Sequence, residues 1–138
     1  MDGNQLVQEL IKDLSKIKGL TVTNSEISKK RKVFQLSGKL NGFIYVKAIA
    51  GCHHNWGITI NTVDKIETRK RPWCVILIYE SKQTGYVISH NEYREKVGKD
   101  LWPIAQGDYK ISEGKSLVET PGFSTVDELV GLLSERLS

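Results

Sequence analysis

The sequence predicts an α/β (α+β) fold in which helices flank a single mixed β-sheet. Two amphipathic segments near the ends of the chain, at 5–18 and 126–137, have the apolar spacing of helices. Between them, a nearly continuous apolar run at 72–80 and a hairpin-like segment at 32–51 supply strands. Because 138 residues suffice for one core, we expect residues 1–138 to form a single domain.

The first helix, over 5–18, carries apolar side chains at steps of three and four residues. Gly19 is a typical C-terminal stop, and a short strand is expected at 20–23. The polar and basic segment 24–32 is expected to be a loop or a frayed edge strand.

The hairpin over 32–51 contains a lysine in the middle of an apolar strand, and Gly38 and Asn41-Gly42 mark its turn. Strand alternation places four side chains of its second strand on one face: Phe43, Tyr45, Lys47 and Ile49. An ammonium group is costly to desolvate, so it needs an anionic or polar partner, or must reach solvent. Lys47 therefore belongs to an active site, a binding site or a tolerated surface position.

A helix and two strands are expected after the hairpin. Asn61 or Thr62 can cap a short helix over 62–70. The run 72–80 is rich in β-branched residues, which is typical of a central strand covered on both faces. The segment 85–90 is expected to pair with it.

The last third of the chain begins with a short helix at 91–99. Residues 100–124 show little periodicity and allow a short strand at 108–111. A capping box that starts at Thr125 precedes the C-terminal helix over 126–137.

Charge is unevenly distributed along the chain. Residues 1–72 hold 13 Lys or Arg against 6 Asp or Glu, a net of +7, whereas residues 73–138 hold 7 against 10, a net of −3. Two clusters dominate the basic half: Lys29, Lys30, Arg31 and Lys32, and then Arg69, Lys70 and Arg71. This asymmetry favours a nucleic-acid partner, DNA first, that these clusters contact through its phosphates. A solvated basic face that aids solubility explains it equally well.

The sequence also limits where the protein works. No window approaches the roughly 18 apolar residues of a membrane span, and the first residues do not resemble a signal peptide. We therefore expect a cytoplasmic protein without membrane association, whose two cysteines, Cys52 and Cys74, are reduced.

The two cysteines could be ligands of a metal site. Cys52 and His54 would share one face of a strand, and Cys74 and His90 could complete four zinc ligands. The paired ligand spacing of a zinc motif is missing, so we assign no metal ligands.

The segment 53–56 is better interpreted as a recognition loop. His53, His54 and Asn55 offer hydrogen-bond donors and acceptors, and Trp56 offers a ring on which a base could stack. The alternative for Trp56 is that it closes the edge of the core.

The order of a leading helix, a hairpin ending in Tyr45-Val46-Lys47, a helix and an apolar strand resembles the core of the PD-(D/E)XK nuclease-like superfamily. This is the fold of Holliday-junction resolvases and many restriction enzymes, and the resemblance covers roughly residues 5–95. It implies a restriction-endonuclease-like core. It also implies that Lys47 is the motif lysine, which stabilises charge or positions the attacking water, and that Glu9 supplies an extra carboxylate.

The acidic positions of the motif depart from the family pattern. Tyr45 stands where the family has Asp or Glu, and Ser37 or Gln35 stands near the expected aspartate. A nuclease of this family would use carboxylates to hold Mg²⁺. Either carboxylates come from elsewhere, or the fold persists without cleavage, which we favour. The candidate replacements are Glu9, Glu26, Asp64 and Glu80.

The sequence thus predicts a nucleic-acid-associated domain of nuclease-like fold, with metal-dependent phosphodiester cleavage left open. The alternative is a protein-interaction or regulatory module, from a mobile element or a defence system. Its acidic C-terminal half and its leucine-rich last helix would then bind a protein partner or a second copy of the chain.

Overall fold

The structure is a computed structural model that describes residues 2–28, 32–49, 51, 53–79 and 84–137. In chain order the elements are α1 (Gly3–Ser15), β1 (Leu20–Asn24), β2 (Val33–Gly38), β3 (Gly42–Ile49), β4 (Asn55–Thr59), α2 (Ile60–Glu67), β5 (Trp73–Tyr79), β6 (Gly85–Ser89), α3 (His90–Gly98), β7 (Ile104–Ala105), β8 (Asp108–Ser112), β9 (Gly122–Phe123) and α4 (Val126–Arg136). No helix in these ranges is both long and apolar enough to cross a membrane.

Six strands form the main sheet in the order β1-β2-β3-β5-β6-β9. The central pair, β3 and β5, is parallel, and the neighbouring pairs are antiparallel, so the sheet is mixed, as predicted. The α/β (α+β) fold class with flanking helices is confirmed. A second sheet, in the order β4-β8-β7, was not expected.

The two faces of the main sheet carry different layers. On one face, which we call the helix-covered face, α1 and α4 pack on apolar side chains such as Ile44 and Ile76. On the opposite face, Tyr45 and Leu77 pack beneath the small sheet, α2 and α3. Successive residues of a strand point to opposite faces, which sends Val46 to the helices and Lys47 to the other side.

Strand β5 is covered on both faces, as its sequence predicts. All residues from Trp73 to Ile78 are buried, with exposures of 0–1%. Trp73 and Trp102 are buried in the core beneath the small sheet.

Several element boundaries differ from the sequence prediction. Helix α1 begins at Gly3, earlier than expected, because Asp2 forms a capping box with Gln5. Helix α2 begins at Ile60, directly after β4, and ends at Glu67. Strand β4 itself was expected to be a loop. It pairs with β8 more than 50 residues away, a partner that local sequence does not reveal.

The C-terminal helix forms where the sequence predicts it. Leu129, Leu133 and Leu137 are buried in the core against the helix-covered face, whereas Leu132 is half-buried. Binding of a protein partner by this helix stays a prediction.

Candidate nucleic-acid interface

Lys47 lies near the carboxyl end of β3, where this strand runs parallel to β5. It is half-buried and pairs in register with Leu77. Its Nζ lies 5.8 Å from the centroid of the Tyr45 ring, two residues earlier on the same face. The aromatic ring thus provides one favourable contact for the ammonium group.

A cavity of about 330 Å³ opens at Lys47, and we call it the lysine pocket. Its lining residues are Glu26, Ile27, Ser28, Lys32, Tyr45, Lys47, Thr59, Thr62 and Lys65. Among the described lining residues, three lysines and one carboxylate give a net charge of +2. A polar pocket of this charge suits an anion.

Separate parts of the chain position the three lysines. The carbonyl oxygen of Lys32 accepts a 2.8 Å hydrogen bond from the backbone N–H of Val46, which holds Lys32 beside β3. Lys65 comes from α2, on the same side as Thr62 and the N-cap Thr59. The backbone N–H of Thr59 donates to the Tyr45 hydroxyl at 3.4 Å, which joins α2 to β3.

The first turn of α2 adds to the positive character of the lysine pocket. Thr59 is the N-cap of this helix, but its side chain makes no capping hydrogen bond. Helix N-termini carry a partial positive charge that favours an anion. The backbone N–H groups of Thr59 and Ile60 already donate to the Tyr45 hydroxyl and to the carbonyl oxygen of Gly107, so those two donors are not available to a ligand. Thr59 and Thr62 bring this end of α2 to the cavity wall.

Glu9 does not line the lysine pocket. It lies on α1, which packs on the helix-covered face, opposite the face that carries Lys47. It lines a different cleft, with Asp2, Asn4, Gln5 and Gln8.

The described carboxylates near Lys47 do not fit the Mg²⁺ site of a nuclease. Glu26 is the one acidic side chain among the described lining residues, and Asp64 is an exposed residue of α2 outside that lining. Within 2–28, 32–49, 51, 53–79 and 84–137, no three His, Cys, Asp or Glu side chains converge on a common point. Glu80 lies outside the described residues. A hard divalent cation needs several oxygen ligands, so the donors present do not fit it.

The residues considered as zinc ligands do not come together among those that the structure describes. Cys74 is buried against the helix-covered face, where burial raises the pKa of its thiol to about 12. His54 and His90 lie on the opposite side of the sheet, beside Tyr79 and Trp73 respectively. Cys52 lies outside the described residues.

Trp56 is a packing residue rather than an exposed stacking platform. It is 3% exposed, and its indole N–H donates to the carbonyl oxygen of Ile78 at 3.1 Å. This burial leaves its ring no open face for a base, so the stacking role is replaced by the core-closing alternative. His53 and Asn55, on either side of His54, remain exposed.

His54 belongs to a polar network that the sequence did not indicate. Its Nδ1 lies 2.7 Å from Oε1 of Glu113, and the Tyr86 hydroxyl donates to Oε2 of the same carboxylate at 2.6 Å. These hydrogen bonds hold the pKa of Glu113 below its usual value. Burial, together with the hydrogen bond to Glu113, raises the pKa of Tyr86. The network joins the small sheet to the main sheet.

A second cationic cleft, of about 440 Å³, lies at the C-terminal end of α2, and we call it the arginine cleft. Its lining residues are Glu67, Lys70, Arg71, Pro72, His90 and Arg94. Arg94 donates twice to Glu67, at 3.1 and 2.6 Å. These hydrogen bonds and the attraction of the opposite charge lower the pKa of Glu67 and raise that of Arg94.

The structure describes all of the second predicted basic cluster but only Lys32 of the first. Arg69 and Lys70 are exposed, and the Arg71 guanidinium lies 5.6 Å from the centroid of the Phe43 ring. Lys29, Lys30 and Arg31 lie outside the described residues, whereas Lys32 lines the lysine pocket. The structure therefore brings Lys32 and Lys47 together with Lys65, which sequence reasoning had not selected.

Comparison with solved structures relates this fold to a DNA enzyme. The chain is similar to Archaeoglobus fulgidus Hjc, a Holliday junction resolvase from an archaeal hyperthermophile, with a TM-score of 0.53 and 11% sequence identity. The likeness covers 94% of this chain and 98% of Hjc. No protein-family model and no curated protein matches the sequence. At the level of fold, the resemblance to PD-(D/E)XK nucleases is confirmed.

Proposed function

We propose that this chain is a nucleic-acid-binding domain that favours DNA and holds a phosphate group in the lysine pocket. The observation that carries the proposal is the convergence of Lys32, Lys47 and Lys65 on one cavity. Lysine is a common phosphate ligand, and its ammonium group has three hydrogen-bond donors. The likeness to a junction resolvase supports DNA as the polymer.

The basic clusters outside the lysine pocket extend the proposed interface. Arg69, Lys70 and the segment Lys29–Arg31 would contact further phosphates of the same nucleic acid. His53, His54 and Asn55 would lie beside it at the start of the small sheet. Contacts of this kind add affinity that is independent of base sequence and depends on salt.

We further propose that binding occurs without metal-dependent cleavage. The support is the composition of the pocket, in which lysines outnumber carboxylates by three to one. With Mg²⁺ or Mn²⁺ we expect no cutting of plasmid, single-stranded or branched DNA. Cleavage that disappears in Lys47→Ala would contradict this part of the proposal and leave DNA binding intact.

The binding itself is tested by changing Lys47→Gln. We expect affinity for a duplex to fall about 5- to 20-fold, and the slope of log K against log salt to become smaller by about 1, because one phosphate contact is lost. Fluorescence anisotropy between 50 and 200 mM salt measures both quantities.

The matched control is Lys18→Gln, which removes the same charge at an exposed position beyond α1. Lys18 is not among the residues that line the lysine pocket, so its loss should change affinity less than twofold. An equal fall in both variants would mean that only net charge matters. Undetectable binding of the unchanged protein at low salt would end the proposal.

A protein-interaction module stays the alternative function, although three leucines of its expected interface, Leu129, Leu133 and Leu137, are buried in the core.

A further inference from the structure

The shape of the lysine pocket fits the end of a nucleic-acid strand better than the interior of a continuous strand. Its described lining comes from three parts of the chain: the segment around Ile27, strand β3 with Tyr45, and helix α2 with Thr62. As far as the described residues show, it is less open to solvent than the arginine cleft at the other end of α2. A phosphate inside a strand needs room for the chain to enter and to leave, whereas a terminal phosphate needs only one opening.

The charge of the pocket also favours a terminal phosphate. A phosphodiester carries about one negative charge, whereas a phosphate monoester carries about −1.5 to −2 at neutral pH. The lining residues that the structure describes have a net charge of +2. A monoester therefore matches the pocket more closely than an internal phosphate does.

The lysine pocket has enough hydrogen-bond donors to bind the terminal oxygens of a phosphate monoester. Besides its lysines, the lining has four hydroxyl groups, on Ser28, Tyr45, Thr59 and Thr62. Tyr45 is only 2% exposed, and its oxygen accepts from the N–H of Thr59, so its own O–H remains to be donated. A monoester presents three strong acceptor oxygens to such donors. The N-terminus of α2 points its partial positive charge to the same place.

We infer that the lysine pocket recognises a phosphate monoester at the end of a nucleic-acid strand. This inference rests on the proposed nucleic-acid binding and names the part of the polymer that this site takes. Lys32, Lys47 and Lys65 balance the charge, and the Tyr45 hydroxyl and α2 orient the terminal oxygens.

The test compares oligonucleotides of one sequence that carry a 5′-phosphate, a 3′-phosphate or only hydroxyl ends. Fluorescence anisotropy at pH 7.5 should give about tenfold tighter binding for one phosphorylated form, the ratio expected for one additional charge-assisted contact. Lowering the pH to 5.5 should shrink this ratio, because the monoester dianion takes up one proton near pH 6 and becomes a monoanion. The hydroxyl-ended form corrects for titration of the protein.

Variants separate a specific site from a general effect of one more charge. Lys65→Gln and Tyr45→Phe should remove most of the phosphate-dependent gain, whereas Lys18→Gln should keep it. Melting temperatures of the variants show whether each is folded, and Lys65→Gln, at an exposed position, should melt like the unchanged protein. At constant ionic strength, free inorganic phosphate should compete more strongly with the phosphorylated form than with the hydroxyl form.

Equal affinity for phosphorylated and hydroxyl-ended DNA would overturn the inference while nucleic-acid binding stands. A gain that survives Lys65→Gln and Tyr45→Phe would also overturn it, because the extra charge would then act elsewhere. Binding to neither form at low salt would overturn both the inference and the proposed function.

Discussion

Two cationic clefts lie along the short helix α2, and they use their charge differently. In the arginine cleft, Glu67 at the end of the helix accepts two hydrogen bonds from Arg94. The described lining of the lysine pocket, on the N-terminal side, combines Lys65 and two other lysines with hydroxyl groups and the carboxylate of Glu26. The sequence places similar numbers of basic residues near both sites.

The difference shows why a count of basic residues does not locate a binding site. Charge-paired Arg94 joins α3 to α2, so part of the positive charge of the arginine cleft contributes to the fold. Arg71 similarly lies over the ring of Phe43. In the lysine pocket, cations outnumber the carboxylate by three to one, which suits an external anion.

The largest expected effect comes from loosening the helix that both clefts share. Ile66 is fully buried on α2, and Ile66→Ala should lower the free energy of unfolding by about 2–5 kcal/mol, through lost burial and the cavity left behind. Urea denaturation measures this change. Because α2 lines both sites, DNA affinity should fall together with stability.

The control for this change is Asp64→Ala, at an exposed position of the same helix. It should alter stability by less than about 0.5 kcal/mol. If Ile66→Ala proved as mild as this control, α2 would not depend on the core for its position.

A smaller effect on stability distinguishes the role of the arginine cleft from that of the lysine pocket. Glu67→Gln keeps the shape of the side chain but removes the charge that holds Arg94, so we expect a loss of about 0.5–1 kcal/mol, the range of a partly exposed ion pair. DNA affinity should stay equal or rise slightly, since an anion is removed. Weaker DNA binding in Glu67→Gln would contradict the separate roles of the two clefts.

The pH dependence of the same variant follows from the pKa of Glu67, which Arg94 holds below the usual value of 4.5 in the folded protein. Its stabilising contribution is therefore complete above pH 4.5 and is lost as the pH falls through the lower, folded-state pKa. Denaturation curves of Glu67→Gln and the unchanged protein should differ most near neutral pH and converge in acid.

The fold could be predicted where the sequence repeats a pattern over a whole element. The spacing of Leu6, Leu10 and Leu14 indicated α1, and the apolar run at Trp73–Ile78 indicated a strand covered on both faces. Strands such as β9, with two residues, carry no such pattern. The small sheet depends on pairing between β4 and β8, which a local pattern does not encode.

The candidate site was predictable only in part, for the same reason. Lys47 stood out because it interrupts an apolar strand. Lys65, on the surface of a short helix, has no local signal, and only the packing of α2 beside β3 brings it to Lys47. Trp56 was compatible with stacking or packing until its hydrogen bond to Ile78, on another strand, decided for packing.

The smallest expected effect tests the charge balance of the lysine pocket directly. Glu26 is exposed and is the one carboxylate in the lining, so Glu26→Gln raises the net charge of the lining from +2 to +3 without removing a buried contact. Stability should change by less than about 0.5 kcal/mol. Affinity for DNA should rise about two- to threefold at low salt and return to that of the unchanged protein at high salt, because exposed charges are screened. Anisotropy titrations at two salt concentrations measure this gain.

The control is Glu119→Gln, which removes an exposed carboxylate elsewhere. It should give a smaller gain, because Glu119 is not among the residues that line the pocket. Weaker binding in Glu26→Gln would mean that this carboxylate positions a lysine rather than opposing the anion.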